Sequence, residues 1–199
     1  MTSAEGSRHR RERIFLLRSG ILTLSAWLMM AGWATASGQP PVDGAVRELR
    51  VGSAIHDVDG LWSNDSKEKG PDLCLEVVFN TTLFRLFRAS AYPNLGAGFN
   101  TRGDTSKVYG GLLLQWEPAS AFFFSTGIGL ALHDGERDTE STDRKSLGSR
   151  VLFRVPVEIG YAISRHHRIA IAFDHMSNAG LASPNEGMDT LGLVYGYRF

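Results

Sequence analysis

Apolar and polar residues alternate through most of the chain beyond Val46, in segments close to the ~10 residues that a tilted strand needs to cross a bilayer. Eight such segments are read as strands, at 46–56, 72–80, 91–100, 107–116, 122–133, 150–162, 168–177 and 189–199. Side chains in a strand repeat every second residue, so each segment presents two rows. One row is apolar, as in Leu73/Leu75/Val77/Phe79, Phe122/Phe124/Ile128/Leu130/Leu132 and Val151/Phe153/Val155/Val157/Ile159/Tyr161. The opposite rows carry Glu48, Arg50, Glu76, Asn94, Lys107, Gln115, Arg150, Arg154, Glu158, Asp174 and Arg198.

Alternation alone fits either a soluble β-sandwich or a barrel with lipid outside. Three features predict the barrel, an all-β, eight-stranded antiparallel transmembrane fold. The last strand ends Tyr195, Tyr197, Phe199, which resembles the terminal signature of outer-membrane barrels. Aromatic residues gather at strand ends, where interfacial girdles lie. Connections also alternate in length, with long polar ones such as 57–71 and 134–149 at the end away from the termini. The 81–90 connection is longer than an inner turn requires. Eight strands enclose room only for side chains, so Arg150, Arg154, Glu158 and Asp174 are expected to form a buried ionic ladder rather than line a channel.

The first 36 residues change the compartment. Arg8, Arg10, Arg11, Arg13 and Arg18 precede an uncharged apolar run, Ile21 to Trp33, and Ala34-Thr35-Ala36 supplies a small-x-small cleavage pattern. The run is shorter than the roughly 20 residues of a spanning helix. Residues 1–36 are therefore expected to be a signal peptide and 37–199 the barrel. Cleavage leaves 163 residues with 16 basic and 19 acidic side chains, a balance that argues against nucleic acid as a partner. Cys74 is the sole cysteine, so no intrachain disulfide holds an exported chain together. Barrel closure would do so.

The candidate chemistry lies in the last two strands, RIAIAFDHMS and DTLGLVYGYRF. Ile169, Ile171 and Phe173 share a row with His175 and Ser177, and Asp189 opens the apolar row of the next strand. An 11-residue loop between them lets Asp189 come level with the other two. Serine needs a base to become a nucleophile, and histidine needs a third group to fix its tautomer. Asn178 could donate to an oxyanion. Taken alone, such residues near a loop are more often interfacial or solvated than catalytic. His166-His167 without further ligands is read as a solvated turn rather than a metal site. Asp57, Asp59 and Asp65 lack the spacing of a calcium loop and are read as a polar loop.

The run His175-Met176-Ser177-Asn178-Ala179-Gly180, followed by Pro184-Asn185 and Gly187-Met188-Asp189, resembles the lipid A 3-O-deacylase (PagL) family. The resemblance is clear over the last two strands and elsewhere is only a barrel pattern. It implies an eight-stranded outer-membrane barrel that removes an ester-linked acyl chain from lipopolysaccharide. Carried over by position, His175 is the base, Ser177 the nucleophile, and Asn178 with the Gly180 amide the oxyanion stabilisers. The acid falls at Asp189, where a family member carries glutamate, which leaves Glu186 as a rival orienting acid. No metal or cofactor is implied. The partners are lipopolysaccharide and outer-membrane lipid, and homodimerisation stays open. The alternative function is a non-enzymatic barrel serving adhesion or envelope stability. A secreted lipid-binding barrel would need the apolar rows to face inward.

Overall fold

The computed structural model describes residues 44–63 and 65–199. The signal segment expected over 1–36, with its cleavage point, lies outside them. Nine strands follow in order: β1 (Val46–Ile55), β2 (Pro71–Phe79), β3 (Phe84–Leu86), β4 (Ala89–Asn100), β5 (Lys107–Trp116), β6 (Phe122–His133), β7 (Val151–Ala162), β8 (His167–Ser177) and β9 (Met188–Arg198). All pairings are antiparallel. Eight long strands form a closed ring, with β1 between β2 and β9 and with β4 bonded to β2. Closure leaves no long strand with an open edge. The short β3 extends the sheet beyond the inner end of β2 and pairs with Ala89–Ala91 of β4. It accounts for the length of the 81–90 connection, which is a hairpin rather than a plain turn.

Polarity separates the barrel from the sandwich. Leu73, Leu75, Leu95, Phe99, Leu130, Ile159 and Ile171 are exposed, while Glu48, Arg50, Glu76, Lys107, Arg154, Glu158 and Asp174 are buried. Charged side chains inside and large apolar ones outside are the reverse of a water-soluble core and suit a transmembrane barrel. The interior charges pair with one another, which their desolvation demands. Arg50 bonds Glu48 at 2.9 Å, Glu76 at 3.0 Å and Glu158 at 2.9 Å. Arg154 reaches Asp174 at 2.8 Å and lies over the Tyr109 ring, 3.7 Å from its centroid. Tyr109 finds space because its neighbour across the ladder is Gly96, where a Cβ would stand 2.5 Å from the ring. One expected rung is absent from the interior. Strand β7 begins a residue later than predicted, so Arg150 is exposed at the outer rim and donates to the carbonyls of His133 and Gly135.

Candidate active site

Strands β8 and β9 pair with His175 opposite Asp189, and a directly opposed antiparallel pair projects to the same face. That face is the outward one, since Ile169 and Ile171 of the same row are exposed. The row thus runs from apolar lipid-facing positions up to His175 and Ser177 at the outer end. His175 Nδ1 donates to Asp189 Oδ1 at 2.6 Å, and Nε2 lies 3.0 Å from Ser177 Oγ as acceptor. Hydroxyl, imidazole and carboxylate form one chain of hydrogen bonds. This is the spatial relation of a nucleophile, its base and the group that orients the base.

The loop between β1 and β2 completes the arrangement, and nothing in the alternation foretold this. Asp189 is 0% exposed, and its Oδ2 accepts from the backbone N–H groups of Trp62 and Ser63, each at 2.6 Å. Val58 N–H donates to the Asp189 carbonyl at 2.8 Å. The Trp62 side chain stacks on His175 with centroids 4.4 Å apart and planes 10° from parallel. It covers the imidazole yet stays 44% exposed. The pair Leu61-Trp62, isolated in a charged loop, was the available signal.

That loop rests on a polar core shared with two others. Asp57, read from the sequence as part of a polar loop, is buried and accepts from the N–H groups of Lys67 at 2.7 Å and Glu68 at 3.0 Å. Lys145 of the β6–β7 loop is 0% exposed, faces Asp57 at 3.2 Å and donates to the Asp65 carbonyl. Glu68 accepts from the backbone of Lys145 and Thr105, both at 3.1 Å. Its other partner is His56, whose Nε2 donates at 3.0 Å while Nδ1 donates to Asp72 at 2.9 Å. An imidazole donating from both nitrogens is a cation.

Burial alone would lower the His56 pKa, but Asp72 and Glu68 outweigh it and raise it to about 9. Burial would likewise raise Glu68, but His56 and the backbone donors hold it at about 2. A histidine raised on folding contributes stability that is fully present below its unfolded value of roughly 6.5. The contribution is lost as pH rises through about 9. Loop 56–70 is therefore expected to open on the alkaline side, with faster amide exchange at roughly pH 10 than at pH 7 after correction for intrinsic rates. His56→Asn should abolish the difference. Equal protection at both pH values would show that His56 does not hold the loop.

The remaining expected site residues serve the β8–β9 loop in this structure. Asn178 is buried, and its side-chain amide donates to the carbonyls of Leu147 at 3.1 Å and Pro184 at 2.9 Å. Its backbone N–H donates to Asn185 at 3.0 Å, and the Gly180 N–H donates back to Asn178 Oδ1 at 2.9 Å. In this structure these N–H groups are engaged in bonds that fold the loop. Glu186 does not meet His175. It joins Lys67 at 2.5 Å and accepts from Ser146 N–H at 2.8 Å, stapling three loops together. Burial would raise its carboxyl, but Lys67 and the Ser146 N–H hold it below the ordinary range. Gly187, at φ +67°, passes beside the dyad, and a Cβ there would lie 3.3 Å from His175 Cε1 and 3.6 Å from Ser177 Cβ.

The sequence profile described as lipid A 3-O-deacylase (PagL) matches residues 75–198. A Bordetella bronchiseptica protein named lipid A deacylase PagL is 28% identical, over 90% of this chain and 94% of its own length. The Pseudomonas aeruginosa protein of that name is 32% identical over 73 residues, which are 37% of this chain and 40% of that protein. The crystal structure of the outer membrane enzyme PagL matches with a TM-score of 0.55 at 21% identity, covering 75% of this chain and 99% of that one.

Proposed function

The chain belongs to the lipid A 3-O-deacylase (PagL) family, and from that premise we propose that it hydrolyses an ester-linked acyl chain of lipid A in the outer membrane, with Ser177 as nucleophile, His175 as base and Asp189 as the orienting carboxylate. The observation that carries this reading is the unbroken Ser177–His175–Asp189 chain on the lipid-facing wall. A water-soluble ester would not seek that wall, whereas a lipid lying beside the barrel presents its ester at the outer rim. The acyl chain can then run down the row Phe173, Ile171, Ile169.

In the first step Ser177 Oγ attacks the ester carbonyl carbon and its proton passes to His175 Nε2. The tetrahedral intermediate collapses, the C–O bond to the sugar breaks, and the imidazolium protonates the departing sugar oxygen. Water, deprotonated by the same nitrogen, then attacks the acyl-serine, the acyl–Oγ bond breaks, and the imidazolium returns the proton to Ser177 Oγ as the fatty acid leaves. Asp189 holds Nδ1 as a donor throughout and stabilises the transient imidazolium. Asn178 and Gly180 can serve the oxyanion only by exchanging one of their present loop bonds for the substrate. Mass analysis of lipid A from cells with and without the protein tests the reading. Loss of one ester-linked chain supports it, and identical lipid A in cells holding correctly inserted protein rejects it.

Trp62 has a place in the same scheme. Its ring keeps the imidazole plane fixed and its backbone N–H is one of the two that hold Asp189, so its effect should fall on turnover. Trp62→Ala is expected to lower kcat by about a hundredfold, as loss of alignment at a reacting group does. Trp62→Phe, which keeps a stacking ring, should restore most of the loss. Fatty-acid release by purified variants measures this. A change confined to KM would make Trp62 a substrate contact instead.

A further inference from the structure

At the inner end of the barrel the β3–β4 hairpin shows a second apolar surface that catalysis does not use. Had the β2–β4 register run on from Val78↔Asn94, Thr81 would face Ala91, yet Phe84 does. The chain takes up three extra residues there, and the parity of the rows flips. Phe84 and Leu86 pair with Ala91 and Ala89, which belong to the same row of β4 as Leu95 and Phe99. The two side chains therefore point outward, in continuity with the lipid-facing wall. The hairpin closes through Phe87 at φ 46° and Arg88 at φ 69°. Two successive left-handed residues make a type I′ turn, a position usually filled by Asn-Gly. Here the first is phenylalanine, 75% exposed. Leu83, Phe84 and Leu86 are exposed beside it, as are Arg85 and Arg88.

The height of the tip is set by Trp116, whose Nε1–H donates to the Phe87 carbonyl at 2.8 Å. Trp116 packs on Phe124 at 5.6 Å, and Phe122 on Tyr161 at 5.1 Å, giving an aromatic band at the inner end. Aromatic bands of this kind lie at headgroup level. We propose that residues 83–88 form a phospholipid-binding finger set into the inner leaflet. Leu83, Phe84, Leu86 and Phe87 meet the acyl chains, and Arg85 and Arg88 meet the phosphates. Two observations select lipid over a periplasmic protein. The apolar side chains continue the lipid-facing wall, and among the described residues Arg85 and Arg88 flank them at the end of the barrel where the aromatic band lies.

The test uses the full barrel in vesicles of phosphatidylethanolamine and phosphatidylglycerol, independently of any catalytic step. In a Cys74→Ser background, Phe87→Cys carries a polarity-sensitive fluorophore and the lipids carry brominated acyl chains. Leu95→Cys on the wall and Asp138→Cys in an outer loop serve as references. The label at 87 is expected to emit in the blue and to be quenched at least half as strongly as that at 95. Quenching no greater than at 138 overturns the proposal. Blue emission that bromolipid does not quench also overturns it, because protein then covers the finger. Leu83→Cys, labelled in the same way, gives an independent reading where the turn does not tolerate the change at 87.

Discussion

Ser177→Ala is expected to leave a folded barrel that no longer deacylates lipid A, with kcat lower by up to about a millionfold, the scale seen when a serine nucleophile is removed from other hydrolases. The Ser177 hydroxyl bonds to His175 and sits on the outward face rather than in the ionic interior. Its loss therefore removes a contact worth only about 1 kcal/mol. Activity and folding separate cleanly for this reason. Fatty-acid release under single-turnover conditions reads the first, and the electrophoretic shift between unheated and heated samples reads the second. A correctly folded Ser177→Ala protein with unchanged release would remove serine from the mechanism.

Asp189→Asn should be nearly as severe in activity, a drop of about ten-thousandfold, as for loss of the orienting carboxylate in serine proteases. The native carboxylate only accepts: one oxygen takes His175 Nδ1–H and the other takes two backbone N–H groups. Asparagine has one accepting oxygen and one donating nitrogen, so it must face donors with a donor on one side. It either turns the imidazole into the wrong tautomer or releases the Trp62–Ser63 loop. Asp189→Glu should retain more activity than Asp189→Asn, since the charge survives although the extra methylene must fit a fully buried site. Glu186→Gln should cost far less than Asp189→Asn, because Glu186 meets Lys67 and Ser146 and leaves the imidazole untouched. If Glu186→Gln proves the more damaging, the orienting acid has been misassigned.

The strand pattern was legible because a two-sided wall imposes a two-residue period on every strand, and here one side is lipid and the other a packed ionic core. The same parity places His175, Ser177 and Asp189 on one face before any contact is known. Parity could not reveal what lies above that face. Trp62 reaches Asp189 across 127 residues of sequence, through a loop with no period of its own. The burial of Asp57 within its polar loop was hidden for a related reason. Composition marks a charged loop as solvated, but Lys145 from a distant loop lets its carboxylate be buried. Glu186 was a rival because a family member carries glutamate as the acid, and the lysine that engages it lies 119 residues away. Arg150 fell on the wrong side of a boundary, at a strand start where the alternation continues one residue past the ladder.

The amides of Trp62 and Ser63 come from the first hairpin of the chain, whereas Asp189, His175 and Ser177 come from the last. Between them runs the β1–β9 pairing, the joint that turns a sheet into a ring. The hydrogen-bonded chain proposed for catalysis is thus assembled across the seam of the barrel. A chain still in transit, with β9 made but the joint open, has an Asp189 without its amide partners and an imidazole without its indole cover. Completion of this cluster therefore depends on ring closure. It is complete only when the wall closes.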